Sequence, residues 1–387
     1  MKKLFTLSLL IWMLALSAQK NVKIKKLDGK TIDSQILQQR LSHLVDSANI
    51  AGLQVVIVNH NKVIYSSSFG YKDVESKKKL NDSTIMYAAS LTKPVSAYIF
   101  MRLVDKGIFS LDKPVYKYLK KPIREYPKWK DLSEDPESFN QITPRMLLSH
   151  SSGLPVLRHL YGNKVNLIAK PGEKFYYSNE GINLLGFIIE EYTGKKLEDI
   201  AREEVFEPLR MRYTSMIWED RFETNFSNAY FKDGKKYGSE RRESSRAAGS
   251  MSTTANDYAN FMIYLMKKKG ITSKSYLEML KPQIKVKSTR GFGPLKDNIT
   301  TDNDAINLAW GLGVGIFDSP FGRAFFHTGH GEANQNYAVA FPESGTAVII
   351  LSNSENFEKN NAQILKLCIG DTYSPLKWLG HLDPNPK

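Results

Sequence analysis

The spacing of apolar residues changes period twice in the first third of the chain. From Ser34 to Ser47, Ile36, Leu37, Leu41, Leu44 and Val45 recur at the interval of one helix face. From Gly52 to Val58 and from Val63 to Tyr71 the pattern becomes two β-rich runs around a His60-Asn61 turn, which predicts a hairpin. Next, Pro94-Val95-Ser96-Ala97-Tyr98-Ile99-Phe100-Met101 runs on to Leu103-Val104 with few polar breaks. That predicts a helix buried nearly all round, entered at Ser90 and ended by Gly107. Pro94 suits only a first turn, where backbone N–H groups lack partners anyway.

Residues from about Gly107 to Leu280 read as mostly helical, with long polar connections at Lys120–Gln141 and Phe222–Arg246. Thr254 with Asp257 three later forms a variant capping box. It opens a helix with Tyr258, Phe261, Met262, Leu265 and Met266 on one face. Met279 to Asn303 reads as a polar loop. Strand character returns in Trp310–Phe317, Arg323–Thr328, Asn336–Phe341 and Thr346–Asn353, followed by a helix around Ala362–Ile369. The expected fold class is α+β. An antiparallel sheet from the N- and C-terminal segments carries flanking helices, and a mostly helical middle lobe spans about residues 107–300. Residues 20–387 are expected to form one catalytic domain, with a ligand site in the cleft between sheet and lobe.

Lys2-Lys3, the apolar run Leu4–Leu16 and Ser17-Ala18-Gln19 have the layout of a secretory signal peptide, so residues 1–19 are set aside from the fold and export to the periplasm or medium is expected. The run is short for a membrane-spanning helix, which disfavours a retained anchor. The lone cysteine, Cys368, can form no internal disulfide and sits in an apolar helical pattern; no Cys/His cluster suggests zinc. Hydrophobic residues make up 42% of the chain, enough for a sizeable core. The formal charge of +14 is scattered rather than clustered, and an exported protein rarely meets nucleic acid, so charge points to no polyanion partner.

Ser90-Leu91-Thr92-Lys93 carries the first candidate chemistry. Residues three apart on a helix share a face, and a desolvated lysine can take the proton of a serine hydroxyl. The same spacing begins at Ser17, Ser76, Ser110 and Ser374, but only Ser90 enters a buried helix. Tyr177-Ser178-Asn179 follows a loop, Pro171–Tyr176, and precedes the helical run Gly181–Tyr192, a position able to present a phenol and an amide to a cleft. Tyr161 and Tyr258 also begin Tyr-x-Asn triplets, one in a turn and one inside an amphipathic helix. His327-Thr328-Gly329 ends a β-rich run, and Gly329 would let a substrate backbone approach closely.

Together, Ser90-x-x-Lys93, Tyr177-x-Asn179 and His327-Thr328-Gly329 resemble the serine β-lactamase and penicillin-binding-protein superfamily. The likeness is to its class C-related branch, which includes D-alanyl-D-alanine carboxypeptidases, D-aminopeptidases and family VIII esterases. Ile142–Pro155, Phe206-Glu207-Pro208-Leu209, Gly249–Ala255 and Trp310-Gly311-Leu312-Gly313 fit the same branch, so the likeness runs from about Ile36 to Ser352. It implies an acyl-enzyme at Ser90, with Lys93 as base and Tyr177 as partner base or acid, its phenolate form favoured by the nearby ammonium. Asn179 would bond Lys93 or a substrate amide. The backbone N–H groups of Ser90 and His330 would form the oxyanion hole, and Thr328 and Gly329 would line the substrate. No metal or cofactor is needed. His327 stands where class C lactamases usually carry lysine, and a histidine offers a cation only when protonated. This favours a D-peptidase or esterase over a true β-lactamase.

An α/β-hydrolase would need Gly-x-Ser-x-Gly, which the chain lacks. A non-catalytic or slowly turning over penicillin-binding or cell-wall-peptide-binding protein would keep the same three motifs. The implied partners are a small peptide, ester or β-lactam, with peptidoglycan as a candidate polymer. The acyl donor depends on loops such as Lys120–Gln141 and Lys281–Asn303, and the sequence fixes neither it nor the oligomeric state.

Overall fold

The computed structural model describes residues 21–239 and 241–382; the expected signal segment 1–19 lies outside them. The two distant strand regions join in one nine-stranded antiparallel sheet. Its order is Ile284–Lys285, Ala309–Trp310, Gly315–Ser319, Gly322–His330, Gln335–Phe341, Thr346–Ser352, Gly52–Asn59, Lys62–Asp73 and Lys78–Lys79. The seam is the pairing of Thr346–Ser352 with Gly52–Asn59, in which Ile349 faces Val56 and Leu351 faces Gln54. The hairpin turns at His60 and Asn61, both with positive φ (49° and 58°), the conformation that matches the twist of paired strands.

Alternation along the central strands divides the core in two. Leu53, Val55, Ile57, Val348 and Ile350 face Leu37, Leu41 and Leu44 of the helix Ser34–Ser47 and Ile364, Leu365 and Cys368 of the helix Asn361–Cys368. Val56, Val58, Ile349 and Leu351 face the other way, onto the buried helix Thr92–Asp105 and the helices Asn179–Thr193 and Ala255–Met266. Cys368 is a core residue, and burial pushes its thiol up to about 12.

Several expected elements differ in detail. Lys120–Gln141 is a chain of short turns rather than an open connection, because Ile123, Trp129, Leu132 and Phe139 turn inward and bury. Phe222–Arg246 contains a small hairpin, Ala229–Tyr230 with Lys236–Gly238. The polar loop Met279–Asn303 donates an edge strand, Ile284–Lys285. The expected strand Trp310–Phe317 breaks in two at a turn closed by Gly311 N–H to the Val314 carbonyl. There Gly313 (φ +76°) lies so close to the buried helix that a Cβ would sit 2.3 Å from that of Ala97. Among the described residues no helix is long and apolar enough to cross a membrane.

Candidate active site

Ser90 sits in a 3₁₀ turn, Ala89–Leu91, and the helix proper begins at Thr92 rather than at Ser90. Ala89 has φ +47°, a left-handed backbone rare for alanine. The turn is held from several sides. The Thr92 hydroxyl donates to the Ala89 carbonyl at 2.6 Å and accepts the Met251 N–H at 3.1 Å, and the Tyr87 hydroxyl donates to the Gly249 carbonyl at 2.8 Å. On its remaining side runs the strand Gly322–His330. A Cβ on Gly329 would stand 2.3 Å from the Ala88 carbonyl, so this packing by itself already requires the glycine.

Lys93 is fully buried one turn beyond Ser90. Its Nζ lies 2.8 Å from Ser90 Oγ, 2.6 Å from Asn179 Oδ1 and 2.7 Å from the Ala248 carbonyl. No carboxylate shares in this set, and burial drives the ammonium pKa well below the ordinary lysine value. A neutral amine has two N–H donors and one lone pair. Asn179 Oδ1 and the Ala248 carbonyl only accept, so in the neutral form they would take the two donors and leave the lone pair to the Ser90 hydroxyl. The site thus matches a lysine ready to receive the Ser90 proton. Tyr177 completes the set: its ring centroid lies 4.9 Å from Lys93 Nζ, and its hydroxyl is near enough to Ser90 for Ser90 to pull its pKa down. Burial raises the Tyr177 pKa, a pull that Ser90 only partly offsets. Burial thus favours the phenol form of Tyr177.

His327 is buried with Nδ1 2.6 Å from the Thr328 carbonyl. That carbonyl can only accept, which puts the ring proton on Nδ1 and leaves Nε2 as an acceptor with no partner among the described residues. Burial first, then the Lys93 charge, push its pKa down to about 3 against the weaker pull of the Thr328 carbonyl. His327 is neutral and offers no cation to a substrate carboxylate. Its ring packs 5.6 Å from Trp310 and 6.2 Å from Tyr177. His330 lies at the strand end, half-exposed, with Nδ1 2.9 Å from Glu358 Oε1.

Ser90, Lys93, Tyr177 and Asn179 come together; Thr328, His327 and His330 line or back the same cleft. Motif reading left His150 and Ala248 without a role. His150 is buried, stacks 4.4 Å from the Tyr177 ring and accepts the Ser178 N–H on Nδ1 at 3.1 Å. The signal lay in Leu147-Leu148-Ser149-His150-Ser151-Ser152-Gly153, a histidine in an otherwise apolar or small-residue segment. Ala248 acts through its backbone, which leaves no side-chain signature.

The cleft has two halves. On the Ser90 side, a cavity of about 320 Å³ is lined by Asn179, Asn183, Arg246, His330 and Glu332. On the Tyr177 side, one of about 280 Å³ is lined mainly by Phe292, Leu295, Trp310, Phe326 and Trp378.

A family model described as Beta-lactamase matches residues 37–367. Protein flp of Staphylococcus aureus (strain MW2) is 28% identical over 193 residues, 45% of this chain and 36% of that protein. Penicillin-binding protein 4* of Bacillus subtilis (strain 168) is 27% identical over 180 residues, 41% of this chain and 37% of that protein. The matched segment thus spans less than two fifths of either relative. The octameric penicillin-binding protein homologue from Pyrococcus abyssi superposes with a TM-score of 0.71 at 25% identity, covering 88% of this chain and 78% of that one. The D-alanine carboxypeptidase AmpC from Burkholderia cenocepacia superposes at 0.68 with 16% identity, covering 87% and 98%.

Proposed function

Since the chain belongs to the β-lactamase family, whose members work by serine hydrolase chemistry, we propose that it is an exported serine hydrolase that forms an acyl-enzyme at Ser90 from amide or ester substrates, D-amino-acid peptides or small esters foremost. The observation that carries this reading is the matched set of donors and acceptors around Lys93 Nζ.

Ser90 Oγ attacks the substrate carbonyl and passes its proton to the Lys93 lone pair 2.8 Å away. The developing oxyanion is held by the backbone N–H groups of Ser90 and His330; losing one such donor typically costs about 10²–10³ in rate. Tyr177, already a phenol, gives its proton to the leaving group as the carbonyl–leaving-group bond breaks, and Lys93 returns a proton to Tyr177. Deacylation reverses the roles, with water in place of the leaving group. Proton transfer to a positioned base contributes about 10²–10⁴-fold. Asn179 and the Ala248 carbonyl hold Lys93 in place throughout.

A neutral His327 favours an ester or amide without a carboxylate at that position over a β-lactam, whose carboxylate finds no cation there. The test incubates the protein and its Ser90→Ala variant with a labelled penicillin, a D-alanyl-D-alanine peptide and a short-chain nitrophenyl ester, following adduct mass and product release. Turnover of the peptide or ester with a transient adduct at Ser90 is expected. Rapid penicillin release instead identifies a β-lactamase, and a stable penicillin adduct without turnover of the others identifies a binding protein. No adduct and no turnover with any of the three overturns the reading.

A further inference from the structure

The group that protonates a leaving group must face it, and this orients a substrate in the two-halved cleft. Tyr177 lines the apolar cavity, whereas Ser90 and Asn179 line the polar one. On the proposed acyl-transfer reading, the leaving group therefore occupies the Tyr177 side and the acyl portion the Ser90 side. The Tyr177 side is walled by aromatic rings: Trp310 lies 6.0 Å from Tyr177 and 6.1 Å from Trp378, and Phe292 lies 6.3 Å from Tyr177. Phe292 and Leu295 are exposed (48% and 41%), so two large apolar side chains line the cavity from a loop while keeping a large share of their surface open.

Charge on this side is scarce. Arg290 is the one charged side chain among the described lining residues, and its guanidinium donates to the Thr289 and Lys377 carbonyls. His327, behind Tyr177 and Trp310, keeps its proton on Nδ1 and turns only an acceptor, Nε2, to its surroundings. A carboxylate here would lose water without gaining a dedicated partner, which is costly in an apolar setting. The polar half carries Arg246, Asn183 and Glu332 and suits a hydrogen-bonding acyl group.

We propose that the natural substrate releases an uncharged, bulky apolar alcohol or amine, bound against Phe292, Trp310 and Trp378, while its polar acyl portion lies over Asn183 and Arg246. The step forms a bond from Ser90 Oγ to the carbonyl carbon and breaks the bond from that carbon to the leaving oxygen or nitrogen. The leaving atom takes the Tyr177 proton. This selects among the substrates of the proposed reading: esters and amides with apolar leaving groups rank above peptides or lactams that present a carboxylate on that side.

Three esters of one N-acetyl-D-alanyl group test it: methyl, benzyl and D-lactyl, the last carrying a carboxylate on a leaving group of similar reactivity. We expect kcat/KM for the benzyl ester to exceed both others at least about tenfold, the range that pocket contacts alone supply. Phe292→Ala, at an exposed position, should lower the benzyl-to-methyl ratio several-fold, and Leu295→Ala should do so by less. Parity or preference for the D-lactyl ester overturns the proposal, as does a benzyl preference that survives both substitutions. A D-lactyl preference abolished by Arg290→Gln would identify a carboxylate receptor and overturn it equally. Labelling of Ser90 by a fluorophosphonate separates the two levels. Labelled enzyme with the wrong ester preference refutes only this inference, whereas enzyme that neither labels nor turns over any ester refutes the acyl-enzyme reading beneath it.

Discussion

His150 grips the Tyr177 loop twice: its ring stacks 4.4 Å from the Tyr177 ring, and its Nδ1 accepts the Ser178 N–H at 3.1 Å. An imidazolium could not accept that bond, so the contact requires the neutral ring. Burial, the largest cause, drives the His150 pKa well down and keeps it so. The proposed acid of the reaction is thereby positioned by a residue from a different segment.

Replacing His150 with alanine should therefore strand the Ser178 N–H and leave a void beside Tyr177, costing about 2–4 kcal/mol of stability. We expect kcat to fall more than KM rises, since the phenol is displaced rather than the substrate cavity removed. Asn can place an acceptor near the Nδ1 position, so His150→Asn should recover part of the loss. Urea titrations paired with steady-state kinetics check this; an alanine variant with wild-type kcat would remove His150 from the mechanism.

The pH profile reports the state of Lys93. Because the proposed base must be neutral and burial lowers its pKa, the ascending limb of kcat/KM should lie well below the ordinary lysine value of about 10.4. The raised pKa of Tyr177 should keep any descending limb above pH of about 10. Asn179→Asp places a carboxylate 2.6 Å from the amine, favours the ammonium and should move the ascending limb upward by roughly one unit or more. An unmoved limb belongs to another group.

Gly329→Ala forces a methyl group against the Ala88 carbonyl, only 2.3 Å away, beside the strained Ala89 that precedes Ser90. Overpacking of this kind typically costs about 1–3 kcal/mol. Displacing the Ser90 turn by even a fraction of its spacing from Lys93 should cost roughly 10²-fold in kcat. The measurement is the midpoint of denaturation alongside kcat, and a variant with unchanged turnover would mean that the turn tolerates the shift.

At the cleft edge the His330–Glu358 pair should make stability depend on pH. Burial opposes the charge on His330, but the Glu358 hydrogen bond and the charges of Glu358, Glu355 and Glu332 outweigh it and raise its pKa. Glu358 is itself held well below the usual carboxylate range: burial resists, and His330 and His381 overcome it. The histidine contribution is fully present below about pH 6.5 and fades as pH rises through the raised folded value. The glutamate contribution is present above about pH 4.3 and is lost only as pH falls through its depressed folded value. The melting-temperature deficit of His330→Gln should thus be largest between about pH 4.3 and 6.5 and should narrow in alkali. A deficit that is constant across pH would show that the ion pair contributes nothing.

The β-branched run Val55-Val56-Ile57-Val58 and the helical spacing of Leu37, Leu41 and Leu44 made the sheet and its outer helix legible, because a strand buried on both faces leaves an unbroken apolar run and a helix buried on one face leaves a period. Ser90, Lys93, Tyr177 and Asn179 were legible because side-chain chemistry must be supplied by particular residue types at particular spacings. The Ala248 carbonyl was not, since a backbone acceptor carries no residue preference. Nor was the neutrality of His327, which is set by the Thr328 carbonyl and by burial under Trp310 and Tyr177, contacts that only the assembled sheet creates. Lys120–Gln141 misled for a different reason: Ile123, Trp129, Leu132 and Phe139 are spaced too irregularly to show a period, yet all turn inward.

The seam between Thr346–Ser352 and Gly52–Asn59 has a consequence for biogenesis. A chain made from its N-terminus holds Ser90, Lys93 and Tyr177 long before it holds Gly322–His330, which lines their cleft, and Thr346–Ser352, which closes the sheet. Until Thr346–Ser352 arrives, the edge of Gly52–Asn59 stays unpaired, and such a long-range closure is slow. The growing polypeptide thus holds the side chains of the site before the sheet that packs behind them can close.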